Sequence, residues 1–469
     1  MNKKAENMKA LFAPESVAVI GASDNPGKLG FHVMKSLTKG GFAGRIIPVN
    51  PGSGEIMGLK AFPSITDCDG QIDLAIVALP AKLVPEIFRE CAAKGIKGIV
   101  LITAGFKEID DPAGTRLHEE IAGIANEAGI PVIGPNTFGM INLQANLNAS
   151  FTPEFSLLRK GSIALISQSG GISHLLGFLA MRMDVGFSKI IGLGNRLNVD
   201  FAQMVDCLMD DSDTRVIMLY MEGIDDPGKL LETIKKQNSK KPIIINKTGS
   251  SAKSDQASRS HTGSMAGRHE IYMGSFSQAR ILAVDNTETL LDSARALAGC
   301  PIPDGPGVAV LSGQAGPGMA GCDVSEAQGL KIVQFTEKTQ QKINEHLPPL
   351  ALRTNPVDMG PAWYDSSAIE EIIRAVMDDE NVDGILLFMM FASANADAVK
   401  GISDLLEKWA QQKPLISCIL SPPGIWDGEI KALEESGSLL NYPTPERAAN
   451  AMASLWKYRK MQISRADFL

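Results

Sequence analysis

The residue best suited to chemistry in this chain is a histidine set among small residues, in Ser258-Arg-Ser260-His261-Thr262-Gly263-Ser264-Met-Ala266-Gly267. Such neighbours provide little to pack an imidazole against, so the ring is expected to be presented rather than buried. An unperturbed imidazole titrates near 6.5 and is largely neutral at pH 7, which leaves one nitrogen able to attack phosphorus. The other nitrogen then needs an orienting partner. Glu222 follows the apolar run Val216–Met221, a position where a carboxylate can cap its own loop.

Phosphoryl transfer depends on positioning and charge stabilisation, so amides and small polar side chains should surround the nucleophile. Ile163-Ala-Leu-Ile-Ser167-Gln-Ser169-Gly170-Gly171-Ile-Ser173 has the form strand, small polar loop, helix. Ser169, Gly170 and Gly171 would form an anion cradle at a helix start. A serine N-cap alone would explain one of these residues. Gly192-Leu-Gly194-Asn195-Arg196-Leu-Asn198-Val-Asp200 reads from its residues as a glycine turn in which Asp200 starts a helix; it also resembles a glycine-asparagine loop that borders phosphate in a known family, and both readings stand.

A second group of loops lies near the N-terminus. Val17–Ile20 runs into Gly21-Ala22-Ser23-Asp-Asn-Pro-Gly27-Lys28-Leu-Gly30, a glycine-rich turn that could take a diphosphate at a helix N-terminus. Its spacing differs from G-x-G-x-x-G. The next strand ends in Pro48-Val-Asn50-Pro51, where an NAD-binding domain would place an acid. A nicotinamide-dependent dehydrogenase is therefore disfavoured. Three further strand ends, Ala78-Leu79-Pro80, Thr103-Ala104-Gly105-Phe106 and Gly134-Pro-Asn136, would share the same sheet edge.

The elements that must position these loops are short β-branched runs alternating with amphipathic segments, the pattern of parallel strands and crossover helices. The first set is Val17–Ile20, Ile46–Val49, Leu74–Ala78, Ile99–Thr103 and Val132–Ile133. A second comprises Ile163–Ile166, Ile190–Gly192, Val216–Met221, Ile243–Asn246 and Ile281–Val284. Val308–Leu311, Ile332–Phe335, Ile385–Met390 and Leu415–Ile419 form a third. The Gly- and Pro-rich segment 299–307 reads as an exposed hinge. Expected domains are therefore 1–145, 146–300 and 301–469.

The first set of loops resembles the CoA-binding domain of the succinyl-CoA synthetase family and its NDP-forming acyl-CoA synthetase relatives. The Ser-His-Thr-Gly run is similar to the active-site histidine loop of the ADP-forming enzymes. Leu311-Ser312-Gly313-Gln-Ala-Gly316-Pro-Gly318 and Asn355-Pro-Val-Asp358 resemble signatures of their extra domain, although relatives usually show a Thr-Asn-x-Gly-Gly run where this chain has Ser312-Gly313-Gln314-Ala315-Gly316. The resemblance implies an α/β protein with a Rossmann-like CoA-binding domain followed by two flavodoxin-like domains of succinyl-CoA-synthetase type. It further implies the alpha subunit of an ADP-forming acyl-CoA synthetase. In such a subunit His261 is the phosphorylated residue, Glu222 its partner, and Ser169, Gly170, Gly171 and Gly263 the phosphate-binding residues. CoA would be held by Gly21, Ala22, Ser23, Gly27, Lys28, Gly30, Asn50, Pro51, Leu79, Pro80, Thr103, Ala104, Gly105 and Asn136.

The same resemblance implies phosphate and a small carboxylic acid or its acyl-CoA as substrates. An ATP-grasp beta subunit would carry ADP or ATP and Mg2+, so no metal-binding residue is assigned to this chain. A hetero-oligomer is expected, with a homodimer open to the isolated chain. A CoA sensor without catalysis is the alternative; it need not keep His261 with Glu222. Relatives carry a lysine after the Val-Asn-Pro of the second strand, where this chain has Gly52, leaving Lys28 or Arg45 to face a CoA phosphate.

Bulk properties agree. With 45 Lys+Arg against 53 Asp+Glu, the net charge of -8 disfavours nucleic acid and anionic lipid. Six scattered cysteines suggest neither zinc knuckle nor disulfide framework. The apolar run Ile385–Ala392, eight residues long, is too short for a bilayer, and the first ten residues lack a signal-peptide core. A cytoplasmic location is expected. Among the other histidines, His32, His118, His269 and His346 are assigned to ordinary helical or surface positions, and His174 alone lies close enough to the phosphate helix to meet a ligand.

Overall fold

The computed structural model describes residues 3–237, 240–254, 269–349, 352–362, 365–399 and 412–466, with residues 402 and 406 between the last two stretches. The chain divides into two compact units, Met1–Thr287 and Glu288–Leu469.

The first unit contains two large, mainly parallel sheets and a two-stranded antiparallel ribbon. Strands β1 (Ser16–Ile20), β2 (Arg45–Val49), β3 (Leu74–Val77), β4 (Gly98–Leu101) and β5 (Val132–Ile133) lie in the order β2-β1-β3-β4-β5. Alternate residues face opposite sides, as strand geometry requires. Val17, Val19, Leu74 and Ile76 enter one apolar cluster, while Ala18, Ile20, Ala75 and Val77 enter another with Phe88, Cys91 and Ile121. The chain steps outward from β1 in both directions, so β1 and β3 flank a switch point at which their carboxyl ends open into a crevice.

The second sheet begins sooner than the sequence pattern suggests. After β5 the chain forms an antiparallel pair, β6 (Gly139–Asn142) and β7 (Leu147–Ser150), at the edge of the sheet containing β8 (Lys160–Ser167), β9 (Phe187–Gly192), β10 (Val216–Met221), β11 (Ile243–Lys247) and β12 (Leu282–Ala283). The order is β12-β11-β10-β8-β9-β6-β7. Its parallel core repeats the arrangement of the first sheet, with a switch point between β8 and β10. Helix α1 (Leu29–Lys39) packs on β7, and one apolar cluster runs from Val17 and Ile76 through Met140 to Ile166 and Ile217. The two sheets thus share a core. Helices α2 (Pro112–Ala128), α3 (Gly170–Arg182) and α4 (Phe201–Met209) complete the part relevant to the site.

The second unit carries strands β13 (Gly307–Ser312), β14 (Lys331–Ile332), β15 (Val357–Asp358), β16 (Gly384–Met390), β17 (Leu415–Leu420) and β18 (Leu440–Asn441). They are ordered β14-β13-β16-β17-β18, with β15 also paired to β13. The helix Thr287–Gly299, expected with the middle domain, falls across the division and lies almost wholly in this unit. Tyr442 on one side of it donates to the Asp292 carbonyl at 2.9 Å, and Arg447 pairs with the Asp292 carboxylate at 2.7 Å. Among the described residues, no helix is long and apolar enough to cross a membrane.

One contact fixes the angle at which α1 leaves β1. A Cβ placed on Gly30 would lie 1.9 Å from the Gly21 carbonyl oxygen, so backbone meets backbone with no side chain between. Gly30→Ala is expected to cost about 1–3 kcal/mol by overpacking, read as a lower thermal unfolding midpoint. A midpoint equal to that of the parent chain would show that the helix can shift without loss.

Candidate active site

In the second sheet, the switch point brings the start of α3 beside the end of β10. Ser169 is the N-cap of α3, its hydroxyl accepting from the Ile172 amide at 3.3 Å. The Ser167 hydroxyl donates to the Ser169 carbonyl at 2.9 Å and accepts from the Ser169 amide at 3.1 Å, closing the turn on itself. Gly170 is half-buried and Gly171 exposed, so the first turn of the helix faces outward with no bulky side chain over it. The partial positive charge of the helix start is directed to the same place.

Gln168, between the two serines, was not singled out from sequence, yet it joins the halves of the crevice. Its buried carboxamide oxygen accepts from the Glu222 amide at 2.6 Å and from the Gly223 amide at 3.0 Å. Glu222 is held in this way at the carboxyl end of β10, half-buried. Burial raises the Tyr220 phenol above its ordinary range, and the nearby Glu222 charge adds to the effect.

Strand β11 continues the crevice. Met221 and Lys247 are register partners, and the Thr248 amide donates to the Met221 carbonyl at 3.0 Å. The segment that leaves this edge contains His261 and Gly263, and residues 255–268 lie outside the described residues. His174 has a structural place: Nδ1 donates to the Gly170 carbonyl at 2.7 Å and Nε2 meets the Thr152 hydroxyl at 2.8 Å. Its ring lies among Phe138, Phe151, Phe155 and Phe178. Both nitrogens are therefore committed to holding α3.

The Gly192–Asp200 loop takes its structural form. Asp200 caps α4 and makes a capping box with Gln203. The Arg196 guanidinium, almost wholly buried, lies 3.2 Å from Asp200 and 3.2 Å from Asp225, so its charge is met within the chain. Gly194 has φ +53°, and a Cβ there would lie 2.2 Å from the Pro135 carbonyl oxygen. The loop is thereby laid directly on Pro135 and Asn136.

At the first sheet the candidate CoA residues gather on the carboxyl edge. Asn50 spans two loops, donating to the Ala22 carbonyl at 2.8 Å and accepting from the Gly52 amide at 2.8 Å. Ser23 is buried and accepts from the Asn25 amide at 3.0 Å, while Gly27, Lys28, Pro51, Pro80 and Ala104 are exposed along the rim and Leu79 is half-buried. Lys28 is the N-cap of α1, with no side chain capping the helix. The Thr103 hydroxyl donates to the Leu79 carbonyl at 2.6 Å, and the Asn136 amide donates to the Thr103 carbonyl at 2.8 Å.

Two details differ from the sequence reading. The Gly21 amide donates to the Val49 carbonyl at 3.0 Å and the Gly105 amide to the Glu108 carboxylate at 2.5 Å, so neither N–H is open to a ligand. These glycines shape the turns, and Gly30 serves close packing at the start of α1. Arg45 also drops out as a substitute for the missing lysine. It opens β2 at the amino edge of the sheet and donates to the Gln71 carbonyl at 2.9 Å, four residues of extended chain from the Val49 end. Lys28 remains at the correct edge.

Comparison with known proteins extends this geometry. A CoA binding domain model matches residues 15–142, and a model described as succinyl-CoA ligase like flavodoxin domain matches residues 160–297. The alpha subunit of acetate–CoA ligase [ADP-forming] II from Pyrococcus furiosus is 36% identical over 96% of this chain and 97% of its own length. The chain belongs to this family of ADP-forming CoA ligase alpha subunits. Within the same family, acetate–CoA ligase [ADP-forming] II of Archaeoglobus fulgidus is 35% identical over 97% of this chain, which spans 68% of that longer protein. A solved structure of dinucleotide-forming acetyl-coenzyme A synthetase 1 from Ca. Korarchaeum cryptofilum, in complex with phosphate and ADP, superposes with a TM-score of 0.90. It is 31% identical and covers 98% of this chain and 99% of that one.

A half-buried charged cluster around α2 gives the fold a pH dependence. Burial pushes the His118 imidazole on α2 down to about 4, the Lys107 ammonium adding to the shift while Glu108 and Asp225 oppose it. A folded-state value below the ordinary 6.5 means that protonation favours the unfolded chain, so stability falls as pH drops from about 6.5 toward 4. His118→Gln is expected to flatten the decline of the thermal midpoint between about pH 7 and pH 5. An unchanged slope would assign the decline to other groups.

Proposed function

We propose that this chain carries the thioester and phosphohistidine chemistry of an ADP-forming acyl-CoA synthetase and needs a separate ATP-grasp beta subunit for the nucleotide. The observation that carries the reading is the convergence of Ser169, Gly170 and Glu222 at one switch point, on the sheet edge from which the His261 segment departs. His261 lies thirteen residues beyond Thr248, and extended chain at about 3.3–3.6 Å per residue reaches any point on that edge.

In this reaction, acyl-CoA lies along the first sheet, with its phosphates toward Lys28 and the start of α1. Phosphate sits at the start of α3, together with the Gly263 backbone. A phosphate oxygen attacks the thioester carbonyl, the C–S bond breaks, and CoA leaves as a thiolate that takes up a proton. The His261 nitrogen then attacks phosphorus of the acyl phosphate, and the P–O bond to the carboxylate breaks. Glu222 holds the opposite ring nitrogen and balances the charge of the phosphorylated imidazole. ADP receives the phosphoryl group on the partner, and reversal activates a carboxylic acid at the expense of ATP.

The partner is supported by the designation of the Pyrococcus furiosus relatives as alpha subunits, and by the additional length of the Archaeoglobus fulgidus relative. We place Mg2+ with the nucleotide on the partner. The comparisons favour no regulatory alternative. All six thiols are free, which suits a reducing cytoplasm.

Mixing the chain with its partner, labelled ATP and Mg2+ is expected to place acid-labile phosphate on the chain. His261→Asn should abolish the label, and Glu222→Gln should slow its appearance by about 10- to 100-fold, the range for residues that orient a working histidine. Equal labelling of the His261→Asn chain would refute the nucleophile. In titration calorimetry, Lys28→Ala should weaken CoA by about tenfold, the value of one hydrogen bond to a charged group. Unchanged affinity would move the CoA phosphates elsewhere.

A further inference from the structure

We propose that Glu108 is a positioning residue that sets the distance between the thioester half and the phosphoryl half of the site. The proposal rests on the reading of the reaction given above. Glu108 follows β4, on the loop that begins at Thr103 and borders the candidate CoA rim. One carboxylate oxygen accepts from the Gly105 amide at 2.5 Å and from the Phe106 amide at 3.2 Å. The other accepts from Phe106 at 3.2 Å and from the side-chain amide of Asn195, which belongs to the loop after β9 in the second sheet. A single charged group thus holds a loop of the first sheet and a loop of the second, through the stronger, charge-assisted kind of hydrogen bond.

Both ends of this link lead to the reacting groups. On the CoA side, Thr103 is joined to Leu79 through its hydroxyl and to Asn136 through its carbonyl. On the phosphate side, Asn195 is buried, its amide donates to the Pro135 carbonyl at 2.9 Å, and its side-chain oxygen meets Asn136 at 3.4 Å. The neighbouring Leu193 amide donates to the Ser167 carbonyl at 2.8 Å, two residues before the N-cap of α3. The path from the thioester rim to the phosphate cradle is continuous. Attack of phosphate on the thioester requires the reacting atoms to be about 3–3.5 Å apart, and a displacement of 1 Å costs on the order of 100-fold. Transfer from ATP to His261 uses only the second sheet and the partner, so it is insensitive to that distance.

Acceptance of phosphate by the chain can be driven from either direction, by acyl-CoA with labelled phosphate or by labelled ATP with the partner. Glu108→Ala and Asn195→Asp are each expected to slow labelling from acyl-CoA by at least about tenfold, with labelling from ATP within twofold of the parent rate. In the double variant Glu108→Gln with Asn195→Asp, the donor and acceptor of the link exchange places. Labelling from acyl-CoA should then return to within threefold of the parent, a recovery that general loss of structure would not give. Loss in both directions, loss in neither, or failure of the exchanged pair to recover would overturn the role of Glu108. A parent chain labelled from neither source, or from ATP alone, would overturn the reading of the reaction itself.

Discussion

The carboxamide of Gln168 is the contact on which the candidate site depends. It lies where β8 ends and α3 begins, and it takes the amides of Glu222 and Gly223 from the neighbouring strand end. A switch point opens the sheet edge by sending two successive connections in opposite directions, and such an opening has no ladder hydrogen bonds to close it. Gln168 supplies two. The start of α3 and Glu222 are thus kept at a fixed separation, and amides that would otherwise lack partners are satisfied. The second unit uses the same device: the Gln314 carboxamide oxygen accepts from the Met390 amide at 3.3 Å, and its nitrogen donates to the Met390 carbonyl at 3.0 Å. There the strand end carries Phe391 where β10 is followed by Glu222.

Charge in the first unit is spent largely on holding loops. Arg196 faces Asp200 and Asp225, Glu108 faces backbone amides and Asn195, and Lys107 is drawn below its ordinary range by burial, with Asp225 opposing the shift. Such pairs have small net value where water reaches them and larger consequences when one member is removed from a buried setting. The exposed rim residues, Lys28 and Ala104 among them, make fewer internal commitments. This contrast between a tied interior and an open edge suits a surface that must receive a long, flexible, anionic substrate.

Much of this was legible in the sequence because the responsible patterns are local. Alternating β-branched runs mark strands, small polar residues after a strand mark a helix start, and Asp200 with Gln203 is a capping pair readable from spacing alone. The unread parts are contacts between distant residues. Glu108 and Asn195 are 87 positions apart, and Gln168 and Glu222 are 54 apart, so no window of sequence contains either pair. Gly21 and Gly105 show the reverse case: a glycine in a turn suggests an open amide, but the Gly21 amide meets the Val49 carbonyl of the neighbouring strand and the Gly105 amide meets the Glu108 carboxylate three residues on in its own loop. A directional signal was available for Arg45, since the first residue of a parallel strand lies at the edge opposite to the ligand.

The hairpin β6–β7 has a consequence for how the polypeptide can be dissected. The CoA-binding match ends at residue 142, yet residues 139–142 form a strand of the second sheet, and the Asn142 side chain donates to the Phe12 carbonyl at 2.8 Å. Severing the gene at that homology boundary would strip an edge from one fragment and leave an unpaired apolar ribbon on the other. Neither piece would be an autonomous module, so recombination between relatives should preserve this segment together with both of its neighbours.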